Sequence, residues 1–175
     1  MVDLSAMNKY PVRTNYEKYG ATAYFNQQKQ PIGMWYPSKQ IFVKPDDTDW
    51  NHIKALFRSS IMTLCTAREH LSYIHFISSN SFLLSVTQTC SEVHPIRRFL
   101  KPHYAQSPGA NRLGFQLLSP YFGILACLGC FTNFNDVMYD CLASYKYELF
   151  PDLIRVTGFL ELLKMKFVTI CILLI

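Results

Sequence analysis

Apolar residues recur at three- and four-residue spacings, or sums of these, at Trp50, Ile53, Phe57, Ile61, Leu64, Leu71 and Ile74. That period puts them on one side of a single helix of about 30 residues, buried along that side. Asp46-Asp47-Thr48-Asp49 stands just before it and offers N-cap oxygens and favourable negative charge at a helix start. Upstream, residues 1–49 are polar and irregular, rich in Tyr, Asn, Gln and Pro. Within them, Pro31–Tyr36 and Gln40–Val43 read as two short strands joined by Pro37-Ser38-Lys39, which predicts a β-hairpin. Downstream, Phe82–Val86 stays apolar and Thr87–Ser91 loosens the helix. Pro95 starts a second short helix carrying Ile96, Phe99 and Leu100, with Arg97 and Arg98 on its wet side, and Pro102 ends it. Ser107-Pro108-Gly109 marks a loop, and residues 111–164 read as further helices broken near Pro120 and Pro151. The fold class is mainly α, with a long central helix and a short N-terminal β-hairpin.

Composition sharpens this. Half of the 175 residues are apolar and 17% are charged, against about 25% charged in ordinary soluble domains. Such a chain fits a heavily buried part of a larger helical enzyme. The net charge of +5 comes from scattered bases with no long run, which speaks against a nucleic-acid partner. The start Met1-Val2-Asp3-Leu4 lacks a basic, then apolar leader, so the six cysteines are expected as thiols in a reducing, cytoplasmic setting. Cys127-Leu128-Gly129-Cys130 has redox or zinc spacing, but with no second pair it reads as buried small residues. Leu113–Asn135 is free of charge and long enough to span a bilayer, yet Gln116, Pro120, Asn133 and Asn135 do not suit lipid. Any membrane association is expected to be peripheral.

Candidate chemistry centres on His70 and His75, five positions apart in the helical run. On an ideal α-helix this spacing separates two side chains by about 140°. A π-type turn, closing its hydrogen bonds over five residues, would bring them to one side, and such turns concentrate at functional sites. Two neutral imidazoles suit iron, zinc or copper. The His-Glu-x-x-His spacing of zinc proteases is absent. Taken alone, two histidines in a helix are more often unrelated than ligands.

A wider pattern surrounds the pair: Trp50, Lys54, Arg58-Ser59-Ser60, His70-Leu71 and His75, then His94-Pro95-Ile96-Arg97-Arg98-Phe99-Leu100-Lys101-Pro102-His103. This resembles the iron-binding core of the lipoxygenases, non-haem iron dioxygenases of polyunsaturated fatty acids. Phe150-Pro151-Asp152-Leu153-Ile154-Arg155 resembles a segment that follows that core, so the likeness runs from about residue 29 to about 157. The resemblance implies a partial lipoxygenase-like catalytic domain over residues 1–175, with 158–175 an atypical tail. It implies His70 and His75 as iron ligands and His94 and His103 as anchors of the second helix. Gly114 falls where the family carries a small residue beside the substrate, although a plain turn glycine is the favoured reading. The family chemistry takes a hydrogen from a methylene between two cis double bonds and adds dioxygen to the radical.

The chain also departs from that pattern. Cys65 stands where the family usually has another histidine, and Ser79 where it often has a carboxylate. The family's remaining iron ligands lie in a C-terminal half without counterpart here, so the iron would be incompletely ligated and the chain by itself inactive. Two other readings stand beside this one: a non-catalytic interaction or scaffold remnant of the same fold, and a small membrane protein using residues 113–135.

Overall fold

A computed structural model describes residues 1–118 and 123–146. Met1–Ala143 form one compact unit; a second begins at Ser144, and only its first three residues are described. The segment Phe150–Arg155 and the tail 158–175 therefore lie outside the described residues.

The described chain is mainly helical and carries a small antiparallel sheet, ordered β1 (Val2–Asp3), β2 (Thr22–Phe25), β3 (Pro31–Tyr36), β4 (Ile41–Val43). The expected hairpin is β3–β4, closed by Gln40 N–H donating to the Pro37 carbonyl at 3.2 Å. Gly33 in β3 lies under the Phe42 ring, where a Cβ would come within 2.2 Å of the ring edge and the half-exposed ring would have to swing aside. Strands β1 and β2 extend the hairpin into four strands, a feature absent from the sequence reading. A two-residue strand carries no alternation, and Thr22-Ala23 offers little apolar bulk to read.

The long helix is longer than its apolar stripe suggested. α1 (Trp50–Leu64) passes into a π-helical segment, Cys65–Ser78, and then into α2 (Ser79–Thr89) without a break. The turn before it is organised by Asp47, whose carboxylate accepts from Lys44 N–H at 2.7 Å and whose carbonyl accepts from Trp50 N–H at 3.0 Å. Asp49, the residue at the N-cap, makes no side-chain cap. Trp50, Ile53 and Phe57 pack with Ala23, Met34, Tyr36 and Val43 of the sheet. Past the π transition the buried positions become Ala67, Leu71 and Ser72, while Ile74, expected inside, is exposed. More residues per turn rotate the stripe away from its α-helical period.

After Cys90 turns extended come α3 (Pro95–Tyr104) and α4 (Ser107–Leu118), then α5 (Ile124–Leu128) and α6 (Phe134–Ala143). Two local expectations are corrected. Pro102 sits inside α3 instead of ending it, and Ser107-Pro108-Gly109 forms the first turn of α4 instead of a loop. Proline costs a helix no hydrogen bond in its first turn.

The second core gathers Met7, Tyr10, Leu71, Phe131, Val137 and Met138 around the π segment and α6. Phe131 is completely buried, with Tyr10 and Tyr19 edge-on at ring-centre distances of 5.8 and 5.3 Å. The N-terminal arm reaches this core by pairing. Val12 bridges Phe131, Arg13 N–H donates to the Cys130 carbonyl at 2.8 Å, and Thr132 N–H donates to the Pro11 carbonyl at 3.1 Å. The Arg13 guanidinium donates to the carbonyls of Cys127 and Gly129, holding the C-terminal end of α5. The described helical residues of the charge-free stretch 113–135 belong to three separate elements, α4, the five-residue α5 and the start of α6. Among the described residues no helix is long and apolar enough to cross a membrane.

Candidate metal centre and adjoining groove

His70 and His75 both lie in the π-helical segment. Their rings stand 4.7 Å apart, centre to centre, with planes crossing at 69°. On an α-helix the same pair would point to different sides, so the widened winding makes them neighbours. Side chains cover carbonyls along this stretch. The buried Ser72 hydroxyl donates to the Ala67 carbonyl at 2.7 Å, Ser79 Oγ to the His75 carbonyl at 2.5 Å, and Asn80 Nδ2 to the Phe76 carbonyl at 2.9 Å. Ser and Asn inside helices tend to bond to backbone in this way.

The orientation of His75 is set from α4. Asn111 is buried there, and its Nδ2 donates to the His75 carbonyl at 2.6 Å, to Ser79 Oγ at 3.0 Å and to Asn80 Oδ1 at 3.3 Å. Three acceptor oxygens on that side fix the amide, so Oδ1 is the atom facing His75 Nδ1, at 3.1 Å. Nδ1 must then carry the hydrogen, and the lone pair of the neutral ring rests on Nε2. Metal-binding histidines are commonly held by such a bond to the other nitrogen. His70 is exposed, and the Arg68–Glu69 ion pair, at 2.7 Å, lies beside it in sequence.

Cys65, at the position of the family's extra histidine, is half-buried, and burial, then Glu69, push its thiol up. Among the described residues no three His, Cys, Asp or Glu side chains gather closely enough to hold a metal ion. Two imidazoles, one of them with a fixed tautomer, fit part of a non-haem iron donor set and leave it incomplete.

Beside the pair, a groove of about 720 Å³ lies between the long helix and α4, walled by Phe76, Leu83, Leu84 and Phe115, with Asn80 and Asn111 on its polar side. Its volume is in the range of roughly 300–1,000 Å³ typical of small-molecule sites. Asn111 thus touches both the groove and His75.

Gly114 is not a turn glycine: it sits within α4, where a Cβ would meet only Leu118 Cδ1, at 4.0 Å. His94 does anchor α3: it is the N-cap, and its Nδ1 accepts from Ile96 N–H at 3.3 Å. His103 is exposed, with its ring 6.0 Å from that of Phe99. Of the Cys-x-x-Cys pair, Cys130 is buried and Cys127 exposed. Burial pushes the Cys130 thiol up to about 11, which makes it a poor nucleophile.

Asn111 is absent from the sequence reading, though a signal for it exists. Asn111, Phe115 and Leu118 share one side of a helix, and an asparagine on an apolar stripe must find hydrogen-bond partners inside. Compared with family models, curated proteins and solved structures, the chain matches none.

Proposed function

We propose that the chain is a lipoxygenase-like helical core in which His70 and His75 are two imidazole donors toward a non-haem iron. In this reading the Phe76–Phe115 groove takes the acyl chain of a polyunsaturated fatty acid, and the protein works in the cytoplasm. The observation that carries it is the π-helical winding of Cys65–Ser78, which sets the two rings side by side. Iron held there would supply one-electron chemistry toward a methylene flanked by double bonds. The chain's own residues orient and shield: Asn111 holds the His75 ring through Nδ1, which leaves Nε2 as the nitrogen that would meet a metal, and Phe76, Leu83 and Phe115 line the groove for an apolar substrate. By itself the chain is proposed to be inactive, because its two imidazoles lack a third donor among the described residues.

That same shortage, with the exposure of His70, favours a second reading, a non-catalytic interaction or scaffold form of the same core. Titration of the purified chain with Fe(II) under nitrogen, followed by addition of linoleate and air, separates the two. The proposal expects weak iron binding that His70→Ala and His75→Ala each abolish, without conjugated-diene hydroperoxide. Binding unchanged in both variants would remove the iron centre and leave the scaffold reading. Sustained hydroperoxide formation would overturn the inactivity.

A further inference from the structure

α3 is turned partly away from its expected orientation: Arg98 is exposed and Leu100 half-buried as expected, but Arg97, Ile96 and Phe99 change sides. Arg97, expected in solvent, points inward, its Nη1 donating to the carbonyls of Cys90 at 2.7 Å and Thr87 at 3.2 Å. Leu100 is half-buried and Tyr104 buried on that inner side. Two of the three apolar residues expected inside are outside: Ile96 is 56% exposed and Phe99 73%, while Val93, just before the helix, is 79% exposed. Val93, Ile96 and Phe99 follow one another at three-residue steps and make a single outward ridge. Arg98 and Lys101, both exposed, flank it along the same helix.

The charge around the ridge is one-sided. Between Glu69 and Asp136 the sequence carries one carboxylate, Glu92, against Arg97, Arg98, Lys101 and Arg112. An outward stripe of aliphatic and aromatic side chains bordered by cations suits a helix lying flat in a headgroup layer. Glu92, the one carboxylate near the ridge, is paired with Arg97 at 3.8 Å, which leaves the exposed bases Arg98 and Lys101 to meet an anionic surface. Nothing in it depends on the histidine pair.

We propose that α3 is a peripheral docking surface for anionic phospholipid, with Val93, Ile96 and Phe99 entering the interface and Arg98 and Lys101 meeting lipid phosphates and carboxylates. One short helix gives modest affinity, so binding should depend on anionic lipid and weaken with salt. The test is co-flotation of the full chain with phosphatidylcholine vesicles and with vesicles that also contain phosphatidylserine. Binding is expected only to the second kind. Ile96→Ser with Phe99→Ser, and separately Arg98→Gln with Lys101→Gln, should each weaken it by about tenfold or more. All four side chains are exposed, and unchanged circular dichroism would confirm the fold of each variant. Equal binding to neutral vesicles, undiminished binding by either variant, or a wild-type dimer that Ile96→Ser with Phe99→Ser converts to monomer would overturn the proposal; the last result would assign the ridge to a second copy.

Discussion

Replacing Asn111 by leucine keeps the number and branching of side-chain heavy atoms and removes every polar contact it makes, so the loss of its hydrogen bonds can be read at this one position. The His75 Nδ1–H would face an apolar methyl group, and the His75 carbonyl would keep only Ser79 Oγ as a side-chain donor. A buried polar group left unpaired costs about 1–3 kcal/mol, and urea unfolding should show a loss of that size for Asn111→Leu. The ring nitrogen signals of His75 should also change, because nothing would then hold the hydrogen on Nδ1. An unaltered tautomer would mean that the ring is fixed by something other than Asn111. The same change should weaken metal binding if His75 is a donor, which links a stability readout to the proposed chemistry. Gly114, by contrast, has open space around it within α4, so its small size has no packing reason.

At the level of elements, Arg97 ties two helices together. Its guanidinium holds the carbonyls of Thr87 and Cys90, where α2 ends and the chain turns extended toward α3. A cation suits that negative helix end, and Arg97→Met keeps the stem while removing the charge. The expected loss is about 1–2 kcal/mol, reduced from the usual value for charged hydrogen bonds because the side chain is partly solvated. Thermal unfolding of Arg97→Met measures it, and an unchanged midpoint would show that packing alone holds the corner. No sequence rule signals this inward turn, since a guanidinium reaching back to a helix end looks in sequence like any surface arginine. The β3–β4 hairpin and the start of α1 were legible because each has a local signature: Pro37 in the turn, and the Trp50, Ile53, Phe57 spacing. The histidine spacing pointed to a π turn but gave no indication that it would run through Cys65–Ser78. Carbonyl contacts from Ser72, Ser79, Asn80 and Asn111 accompany that winding, and α4 contributes the last of them from far along the chain. Ile74 was assigned to the wrong side for the same reason, because an α-helical period was extended through a stretch with a different one.

In the compact unit as a whole, the first twenty residues are held on from three directions by carboxylates. Asp3 accepts from Ser5 N–H at 2.9 Å and from Thr22 Oγ1 at 2.7 Å, joining β1 to β2. Glu17 takes Lys39 from the hairpin turn and His52 from α1. Asp140 in α6 takes Lys9 at 2.6 Å and the Tyr10 hydroxyl at 2.9 Å. All three carboxyls lie below their ordinary values. Asp3 is lowered chiefly by the Ser5 amide, and Asp140 chiefly by Lys9. At Glu17 burial acts upward and is outweighed by the bonds from Lys39 and His52. A carboxyl depressed in the folded state stabilises the fold above its unfolded value, and that contribution disappears as pH falls through the folded value. The three contributions are therefore complete at neutral pH and are lost as pH falls below the ordinary carboxylate range, through each group's lowered folded value. These groups are largely solvated and each is individually weak, so the first effect of acid should be local release of the N-terminal arm. The Trp50–Thr89 helix is held by apolar packing and backbone bonds that do not titrate, and it should outlast the arm. Hydrogen exchange followed through the acid range should accordingly accelerate in residues 1–20 before it does in the long helix. Asp3→Asn, Glu17→Gln and Asp140→Asn combined should expose the arm already at neutral pH and flatten its acid dependence. If arm and helix lose protection at the same pH in both proteins, the carboxylates are not what holds the arm, and its pairing with residues 130–132 would have to carry that role.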